Sequence, residues 1–506
     1  MSWAKPLTGR PDGSYALFRS NDKFVEVLSD ATACRTIWFF LDDEVFIAST
    51  SQRAIVQLVG SFEFNARVVP WMLSSGTLGP GNSWDRRIHC VPADSSITLD
   101  RKAWSLRSDI GSCAFVAVDR SAEQHRALLE QHLQQTFSSL ALDYSKWVLP
   151  LSGGFDSRLI LQMLKHHANL RTVTWGLKSS LGESDNDAYI ARSLANLLGL
   201  RHDFYETGLS TEPVNAVFDR FLICGEGRID HISGYMDGFK IWKVLFEGGV
   251  EGVIRGDEGF GWEPALSPFQ VRMAIELQLW SDFANVKERG DFGTQEIPTH
   301  LLQEHDESLE TWRDRLYHQF RIPTVLAALS DLKVAYVEIV NPLLSNQVVA
   351  FVRTMPDHLR TSKNLFKSIV RSMPPQLDFA KYPAIDDPKN ILRSGPAVAV
   401  LRDELSSAHA KALLPEDVLA YILSHLQPIS PRTEWKRTWE KTLRRRLPRW
   451  AKAGAKRITG QTAPTMDVYV LAFRAYILSR MSRLLNDRLE IDEPPMRNDP
   501  LSRSVH

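Results

Sequence analysis

Residues 151–157 read Leu-Ser-Gly-Gly-Phe-Asp-Ser, a combination of residue types that binds phosphate. The two glycines allow the backbone to approach an anion closely, and the two serines add hydroxyl donors. Asp156 would repel bare phosphate, but it suits a Mg²⁺ ion that bridges phosphate groups. No Gly-Lys-Ser/Thr follows, so this is not a Walker loop. The segment predicts a loop that binds a phosphate chain together with Mg²⁺.

A second acidic segment, Gly-Asp-Glu-Gly-Phe-Gly, occupies residues 256–261, shortly after a predicted strand at 250–254. Carboxylates that follow separate strands of a parallel sheet meet at the same edge of that sheet. Carboxylate oxygens are the ligands that Mg²⁺ takes in proteins. Asp156 and Asp257 are therefore the candidate metal ligands, with Glu258 beside them.

The elements around these loops follow an alternating pattern. Residues 147–151 read as a buried strand that enters the glycine loop, and the apolar run 159–164 continues as a helix whose N-terminus faces the anion. Further strands are predicted at 170–175, 202–205 and 250–254, with a helix at 185–199. Strands that alternate with helices predict a parallel α/β sheet. From about residue 265 onward the patterns are mainly helical.

The N-terminal part of the chain has a different character. Residues 1–118 read as short β-strands between turns, including a hairpin formed by 36–41 and 44–49. The chain has 506 residues, enough for roughly two or three domains. We therefore predict a fold of class α/β plus β, with a β-rich domain at 1–118 and an α/β domain with a helical C-terminal part at 119–506.

Composition excludes several classes of protein. Lys plus Arg and Asp plus Glu both count 60, so net charge gives no support for general nucleic-acid or membrane binding. The four cysteines show no CxxC pair or metal-ligand spacing, and they are too few for a disulfide framework, which favours a reducing compartment. Neither a signal-peptide core nor an apolar run long enough to span a bilayer is visible. The prediction is a cytoplasmic enzyme.

With these motifs in place, the chain resembles the asparagine-synthetase-like family of PP-loop ATP pyrophosphatases. That family cleaves ATP between its α- and β-phosphates, forms an acyl-adenylate on a carboxylate, and lets an amine attack. The resemblance implies ATP and Mg²⁺ as cofactors and an N-terminal glutaminase-like (Ntn-type) fold. It also implies that adenine lies at the end of the second strand. The implied cofactor-binding residues are Leu151, Ser152, Gly153, Gly154, Asp156, Ser157, Thr174, Trp175, Gly176, Gly256, Asp257 and Glu258.

Three basic residues are candidates for catalysis by the same resemblance. Lys367 opens a Lys-Ser-Ile-Val-Arg run similar to a helix of the family, and Lys381 stands nearest to the lysine that stabilises the family's transition state. The family's longer Ser-Gly-acid-Gly stretch is shortened here to 253–256, so its catalytic acid has no counterpart. Arg255 is interpreted as a phosphate contact instead.

The residue that follows the initiator methionine indicates which molecule would supply the amine. Glutaminases of the family have cysteine there, and this chain has Ser2. Without glutamine hydrolysis, the amine would come from a substrate, and attack by a substrate's own amine closes a ring. The stretches at 225–231 and 234–239 resemble the lasso-peptide cyclase branch. That branch adenylates an Asp or Glu side chain of a precursor peptide, and the peptide's N-terminal amine forms a macrolactam. Its partners are a leader-binding protein and a leader peptidase.

Other interpretations remain open at this point. A β-lactam-synthetase-like or other glutamine-independent enzyme would act on a small substrate, and a tRNA-modifying PP-loop enzyme would act on RNA. A basic stretch at 436–457 with interleaved tryptophans is the only support for the RNA reading; it is either a solvated helix face or a docking surface. A non-catalytic binding module is the third alternative, and the presence of Ser152, Asp156 and Asp257 argues against it.

Overall fold

The computed structural model describes residues 3–293, 295–385, 388–428 and 464–487. Two features singled out in the sequence, Ser2 and the basic stretch at 436–457, lie outside the described residues. Within the described part of the chain, no helix has both the length and the apolar character needed to cross a membrane.

The strands form three sheets. Their bounds are β1 (Ala16–Ser20), β2 (Phe24–Ser29), β3 (Trp38–Leu41), β4 (Phe46–Ser49), β5 (His89–Cys90), β6 (Ser95–Asp100), β7 (Ser105–Ile110), β8 (Trp147–Pro150), β9 (Arg171–Gly176), β10 (Arg201–Glu206), β11 (Gly252–Ile254) and β12 (Glu338–Val340).

Helices dominate the second half of the chain, as the sequence predicts. Their bounds are α1 (Gln52–Val59), α2 (Val68–Ser75), α3 (Ala122–Ser139), α4 (Phe155–Leu164), α5 (Asp187–Leu197), α6 (Val214–Gly225), α7 (Lys240–Glu247), α8 (Pro268–Ala274), α9 (Leu309–Leu316), α10 (Ala327–Val334), α11 (Asn346–Val352), α12 (Asp357–Arg360), α13 (Asn364–Ser372), α14 (Gly395–Leu405), α15 (Ala408–Leu413), α16 (Glu416–His425) and α17 (Val468–Asn486). A π-helical segment, Tyr317–Leu326, joins α9 to α10.

The central sheet has the order β10-β9-β8-β11-β12, and all of its pairs are parallel. The chain moves outward from β8 through β9 to β10, then returns to the other side of β8 for β11 and β12. The direction of winding therefore reverses between β8 and β11. Loops at the carboxyl ends of these two strands border a crevice, the usual place for a ligand in such a sheet. The predicted parallel α/β sheet with a helical C-terminal part is confirmed.

The N-terminal strands form two antiparallel sheets, in the orders β1-β2-β6-β7 and β4-β3-β5. A small core lies between them and consists of Val27, Ile37, Phe39, Val91 and Ile97. The β-rich character predicted for residues 1–118 is observed, with two short helices, α1 and α2, added. A glutaminase-like, Ntn-type identity for this half stays a prediction.

The two halves of the chain share a core. One hydrophobic cluster contains Trp38 and Ile55 together with Phe218 and Ile477. A polar contact adds to it, because the buried carboxylate of Glu226 accepts hydrogen bonds from three groups at the start of α1: Ser51 Oγ, Gln52 N and Arg53 N. A carboxylate at a helix N-terminus stabilises that helix. The domain boundary near residue 118 remains a prediction.

A buried charge cluster fixes α17 to the body of the protein. His231 lies 3.3 Å from carboxylate oxygens of both Asp230 and Glu276, and Arg474 of α17 binds Asp230 at 2.6 Å. Burial disfavours the charged imidazole, but its hydrogen bonds to the two carboxylates and their charges outweigh burial. They raise the pKa of His231 to about 10.

This shift makes the stability of the protein depend on pH. Because the pKa of His231 is higher in the folded protein, its charged imidazole stabilises the fold. This contribution is complete below about pH 6.5 and is lost as the pH rises through about 10. His231→Gln should lower the free energy of unfolding by on the order of 2 kcal/mol near pH 6 and by much less above about pH 10. Urea unfolding of both proteins at the two pH values measures the difference. An equal loss at both values would contradict the charged state of His231.

Candidate active site

The glycine loop connects β8 to α4, and its polar groups hold one another in place. Ser152 N donates to Ser157 Oγ at 3.0 Å, and Gly154 N donates to Ser152 Oγ at 3.2 Å. At Gly153 a Cβ atom would lie only 2.5 Å from the Cβ of Ala380, so a side chain there would force a shift. The loop is therefore set before any ligand arrives, and position 153 must be glycine.

The acidic loop at 255–258 follows β11 and packs directly on the glycine loop. A Cβ on Gly256 would lie 3.2 Å from the Cβ of Asp156, which shows how closely the two loops approach. Asp257 accepts a hydrogen bond from Arg255 at 3.0 Å. The structure thus brings together Asp156, Asp257 and Glu258 at the crevice between β8 and β11. Arg255 neutralises Asp257 there.

A lysine that the sequence reasoning missed lies between these carboxylates. Lys363 Nζ is 3.0 and 3.1 Å from the two carboxylate oxygens of Asp156 and 2.7 Å from Glu258 Oε1. The Glu258 side chain is 5% exposed, that of Lys363 18% and that of Asp156 32%. One ammonium group is therefore shared by two carboxylates in a largely buried position.

The charges in this cluster do not balance. Burial raises the pKa of Glu258 to about 7 and also raises the pKa of Asp156, although the Lys363 ammonium opposes both shifts. Burial alone would lower the pKa of Lys363, but Glu258 and Asp156 outweigh it and raise that pKa. With both carboxylates ionised, one negative charge remains uncompensated. A further cation is the natural complement of this site.

The donor set fits Mg²⁺ that arrives with a nucleotide. Its oxygens are the hard ligands that Mg²⁺ prefers, and Mg²⁺ in nucleotide sites is held by one or two carboxylates plus phosphate oxygens. Among the described residues, no group of three or more His, Cys, Asp or Glu side chains is placed to hold a metal by itself. Asp156 and Asp257 would supply the protein's ligands, and the rest would come from the nucleotide and water.

The turn that delivers Lys363 is conformationally strained. Ser362 and Lys363 have φ values of 58° and 56°, a left-handed conformation that costs about 1–2 kcal/mol for each non-glycine residue. The turn is held by Ser362, whose N donates to Trp262 O at 2.8 Å and whose Oγ donates to Glu263 at 2.9 Å. Strain of this kind is retained where the surrounding structure enforces it, often at functional sites. The segment that follows the acidic loop thereby positions Lys363.

A covering segment, residues 377–384, lies across the glycine loop. Arg158 of α4 donates to the carbonyl oxygens of residues 377 and 378, both at 2.7 Å. The Phe155 ring stacks on Phe379 with centroids 3.8 Å apart, and Ala380 N donates to Gly153 O at 3.1 Å. The Phe155 side chain therefore anchors the covering segment.

The other two lysine candidates occupy different places. Lys367 Nζ lies 5.6 Å from the centroid of the Phe155 ring, beside the glycine loop. Lys381 is 65% exposed, and its Nζ binds Asp185 at 2.9 Å. The structure therefore places Lys367 next to the loop and pairs Lys381 with Asp185 rather than with Asp156 or Glu258.

The end of β9 adjoins the glycine loop, as the prediction of an adenine position requires. Thr174 Oγ1 donates to the carbonyl oxygen of Leu151, and the Trp175 ring packs edge-on against Trp242. A Cβ on Gly176 would lie 2.5 Å from Ala384 O, so the covering segment also lies on this strand end. These predicted residues form one continuous edge of the sheet.

Asp187 is a second residue whose place the sequence reasoning did not foresee. Its Oδ1 accepts a hydrogen bond from Gly153 N at 3.0 Å, and burial raises its pKa. Asn186, not Asp187, caps α5, by accepting a hydrogen bond from Ala188 N. The carboxylate of Asp187 thus holds the Gly153 amide and fixes this part of the glycine loop.

Comparison with known proteins finds a family model that matches part of this chain. Residues 129–221, which include the glycine loop and β8 to β10, match the family model described as asparagine synthase. An NH3-dependent NAD synthetase from Campylobacter jejuni, solved with a nitrate ion, is 16% identical over 51% of this chain and 100% of its own. Its TM-score of 0.18 carries no argument about the fold. No curated protein matches. The segment that carries the glycine loop is similar to asparagine synthase.

Proposed function

We propose that this chain is an ATP-dependent amide-forming ligase that releases AMP and pyrophosphate. The observation that carries the proposal is the meeting of the glycine loop and the acidic loop at the β8–β11 crevice, with Asp156, Glu258 and Lys363 within ion-pair distance. The match of residues 129–221 to asparagine synthase supports the same reaction class.

The reaction has two steps. A substrate carboxylate oxygen attacks the α-phosphorus of ATP, the bond to the β-phosphate oxygen breaks, and pyrophosphate leaves with that electron pair. An amine then attacks the acyl-adenylate, so an amide bond forms, AMP leaves and the amine loses a proton. Mg²⁺ bound to Asp156 and Asp257 would neutralise charge on the phosphates during the first step.

The residues of the chain have distinct tasks in this scheme. The N-terminus of α4, directly after the glycine loop, holds phosphate oxygens through its backbone N–H groups. Lys363, fixed between two carboxylates, places a positive charge beside the leaving pyrophosphate, where pre-oriented charge is most effective. The covering segment restricts access of water to the acyl-adenylate, whose hydrolysis would waste ATP.

The proposed substrate is a precursor peptide that is closed into a macrolactam. This part rests on the resemblance of 225–231 and 234–239 to lasso-peptide cyclases. Within the first of these stretches, Glu226 accepts hydrogen bonds from the start of α1 and Arg228 donates to Thr36 Oγ1 at 2.6 Å, so both join the two halves of the chain. A leader-binding protein and a leader peptidase are the proposed partners.

Three matched peptides test the reaction. The first has a free N-terminal amine and an internal Glu, the second is the same peptide with its amine acetylated, and the third has Gln for Glu. We expect the first to lose one water and yield one AMP and one pyrophosphate per ring, as seen by mass spectrometry and nucleotide chromatography. The acetylated peptide should support ATP–pyrophosphate exchange without ring closure, and the Gln peptide neither.

Other outcomes would redirect or overturn the proposal. Release of ADP and phosphate, or no AMP with any carboxylate, would overturn the ligase assignment. ATP–pyrophosphate exchange that only a small amino acid derivative supports would favour a β-lactam-synthetase-like enzyme over one that acts on a peptide. AMP formation that requires RNA would favour the tRNA-modifying reading.

A further inference from the structure

A cavity of about 600 Å³ lies where the N-terminal sheets meet the helices of the second half. Its walls are mostly apolar and include Trp38, Leu78 and Val91 from one half and Phe320 and Pro323 from the other. Neither the glycine loop nor the acidic loop lines it. The volume falls within the range of about 300–1,000 Å³ that is usual for small-molecule sites. The proposed ligase reaction gives this interface cavity no role.

Three guanidinium groups line the interface cavity, and two of them are neutralised. Arg228 pairs with Asp331, and Arg315 pairs with Glu307 at 2.7 Å. Arg353 has no carboxylate within ion-pair distance among the described residues; its terminal nitrogens donate to the carbonyl oxygens of Ser112 at 3.3 Å and Ala31 at 3.2 Å. One unneutralised positive charge therefore borders a mostly apolar space.

Arg353 is held in a fixed orientation by a buried histidine. Its Nε donates to His318 Nδ1 at 3.3 Å, which leaves the proton of the neutral ring on Nε2. His318 Nε2 then donates to Gly259 O at 2.9 Å, next to the acidic loop. Burial lowers the pKa of His318 to about 3, in accord with a neutral ring. The hydrogen bond from Nε to His318 therefore fixes the orientation of the guanidinium. Its terminal nitrogens point to the carbonyl oxygens of Ser112 and Ala31, two residues that line the cavity.

We propose that the interface cavity binds an apolar chain that ends in a carboxylate, with Arg353 as the anchor of that carboxylate. An apolar chain matches the walls, and a carboxylate matches Arg353, the one of the three lining guanidinium groups that has no carboxylate partner among the described residues. Arginine favours this group because its planar fork donates two parallel hydrogen bonds to a carboxylate. A fatty acid and the C-terminus of an apolar peptide both have this chemistry.

Calorimetric titration of the full chain without ATP tests the proposal and distinguishes the two sources. The probes are octanoate with octanamide as its uncharged counterpart, and acetyl-Leu-Val-Phe with its C-terminal amide. We expect at least one carboxylate to bind at least about tenfold more tightly than its amide, since charge-assisted hydrogen bonds are about twice as strong as neutral ones. The probe that binds identifies the source.

Variants separate the anchor from the fold. Arg353→Met should reduce the binding of the carboxylate to that of the amide, Arg353→Lys should retain part of it, and Arg126→Met, on the surface of α3, should change nothing. Thr324→Phe fills the cavity and keeps Arg353, so it should abolish binding. This variant tests the proposal if Arg353→Met does not fold. Equal binding of carboxylate and amide, no binding of any probe, or full binding by Thr324→Phe would overturn the proposal. Because no nucleotide is present, none of these results depends on the ligase assignment.

Discussion

Asp156→Asn should reduce the formation of AMP and pyrophosphate at least about 100-fold without destabilising the protein. Removal of one charged group that stabilises a transition state commonly costs about 100- to 1,000-fold in rate, and Asp156 is also a proposed Mg²⁺ ligand. The free energy of unfolding should not fall, because Lys363 keeps Glu258 as a partner at 2.7 Å. The substitution also removes the charge of one of the two carboxylates that share this single ammonium group. ATP–pyrophosphate exchange and thermal unfolding measure the two effects.

A matched carboxylate at the opposite end of the sheet is the control. Glu251 precedes β11, is 57% exposed and pairs with Lys146, so Glu251→Gln removes an acid from the amino end of the strand whose carboxyl end carries the acidic loop. Its turnover should equal that of the unaltered protein. Near-normal turnover by Asp156→Asn would refute the role of this carboxylate, and an unfolded variant would show that its role is structural.

The glycine loop could be predicted because everything that defines it is local. A strand, two glycines, a carboxylate and a helix follow one another within residues 147–164, and their order alone fixes the geometry. The acidic loop could be placed beside it because parallel strands present their carboxyl ends on the same edge. In contrast, β12 was not predicted, because its three residues begin with the exposed Glu338 and form no apolar run.

Lys363 could not be found in this way because its position depends on contacts that are distant in sequence. The left-handed turn at residues 362–363 contains no glycine to announce it, and it is held by Trp262 and Glu263. Helix-face spacing from Lys367 does not identify it either, because Lys363 precedes α13 in a left-handed conformation. Lys381 was predicted as a catalytic residue from the family resemblance, but in the structure its ammonium group pairs with Asp185.

Lys363→Met should both abolish turnover and destabilise the protein. The substitution leaves two carboxylates close together in a largely buried position with no cation between them, and removal of one partner from a buried ion pair typically costs about 3–5 kcal/mol. The partial exposure of Asp156 reduces that figure here. The loss should shrink as the pH falls toward about 7, because without the Lys363 charge, which holds the pKa of Glu258 down to about 7, Glu258 takes up a proton at higher pH. Urea unfolding between about pH 6 and 9 measures it.

Two further variants distinguish charge balance from catalysis at Lys363. Lys363→Met combined with Glu258→Gln removes the repulsion, so the free energy of unfolding should return to near its original value while ATP–pyrophosphate exchange stays absent. Lys381→Met removes the ammonium bound to Asp185 and should leave both stability and exchange intact. If exchange survives in Lys363→Met and disappears in Lys381→Met, the catalytic lysine is the one that family resemblance suggests. The shared ammonium would then serve only to keep two buried carboxylates together.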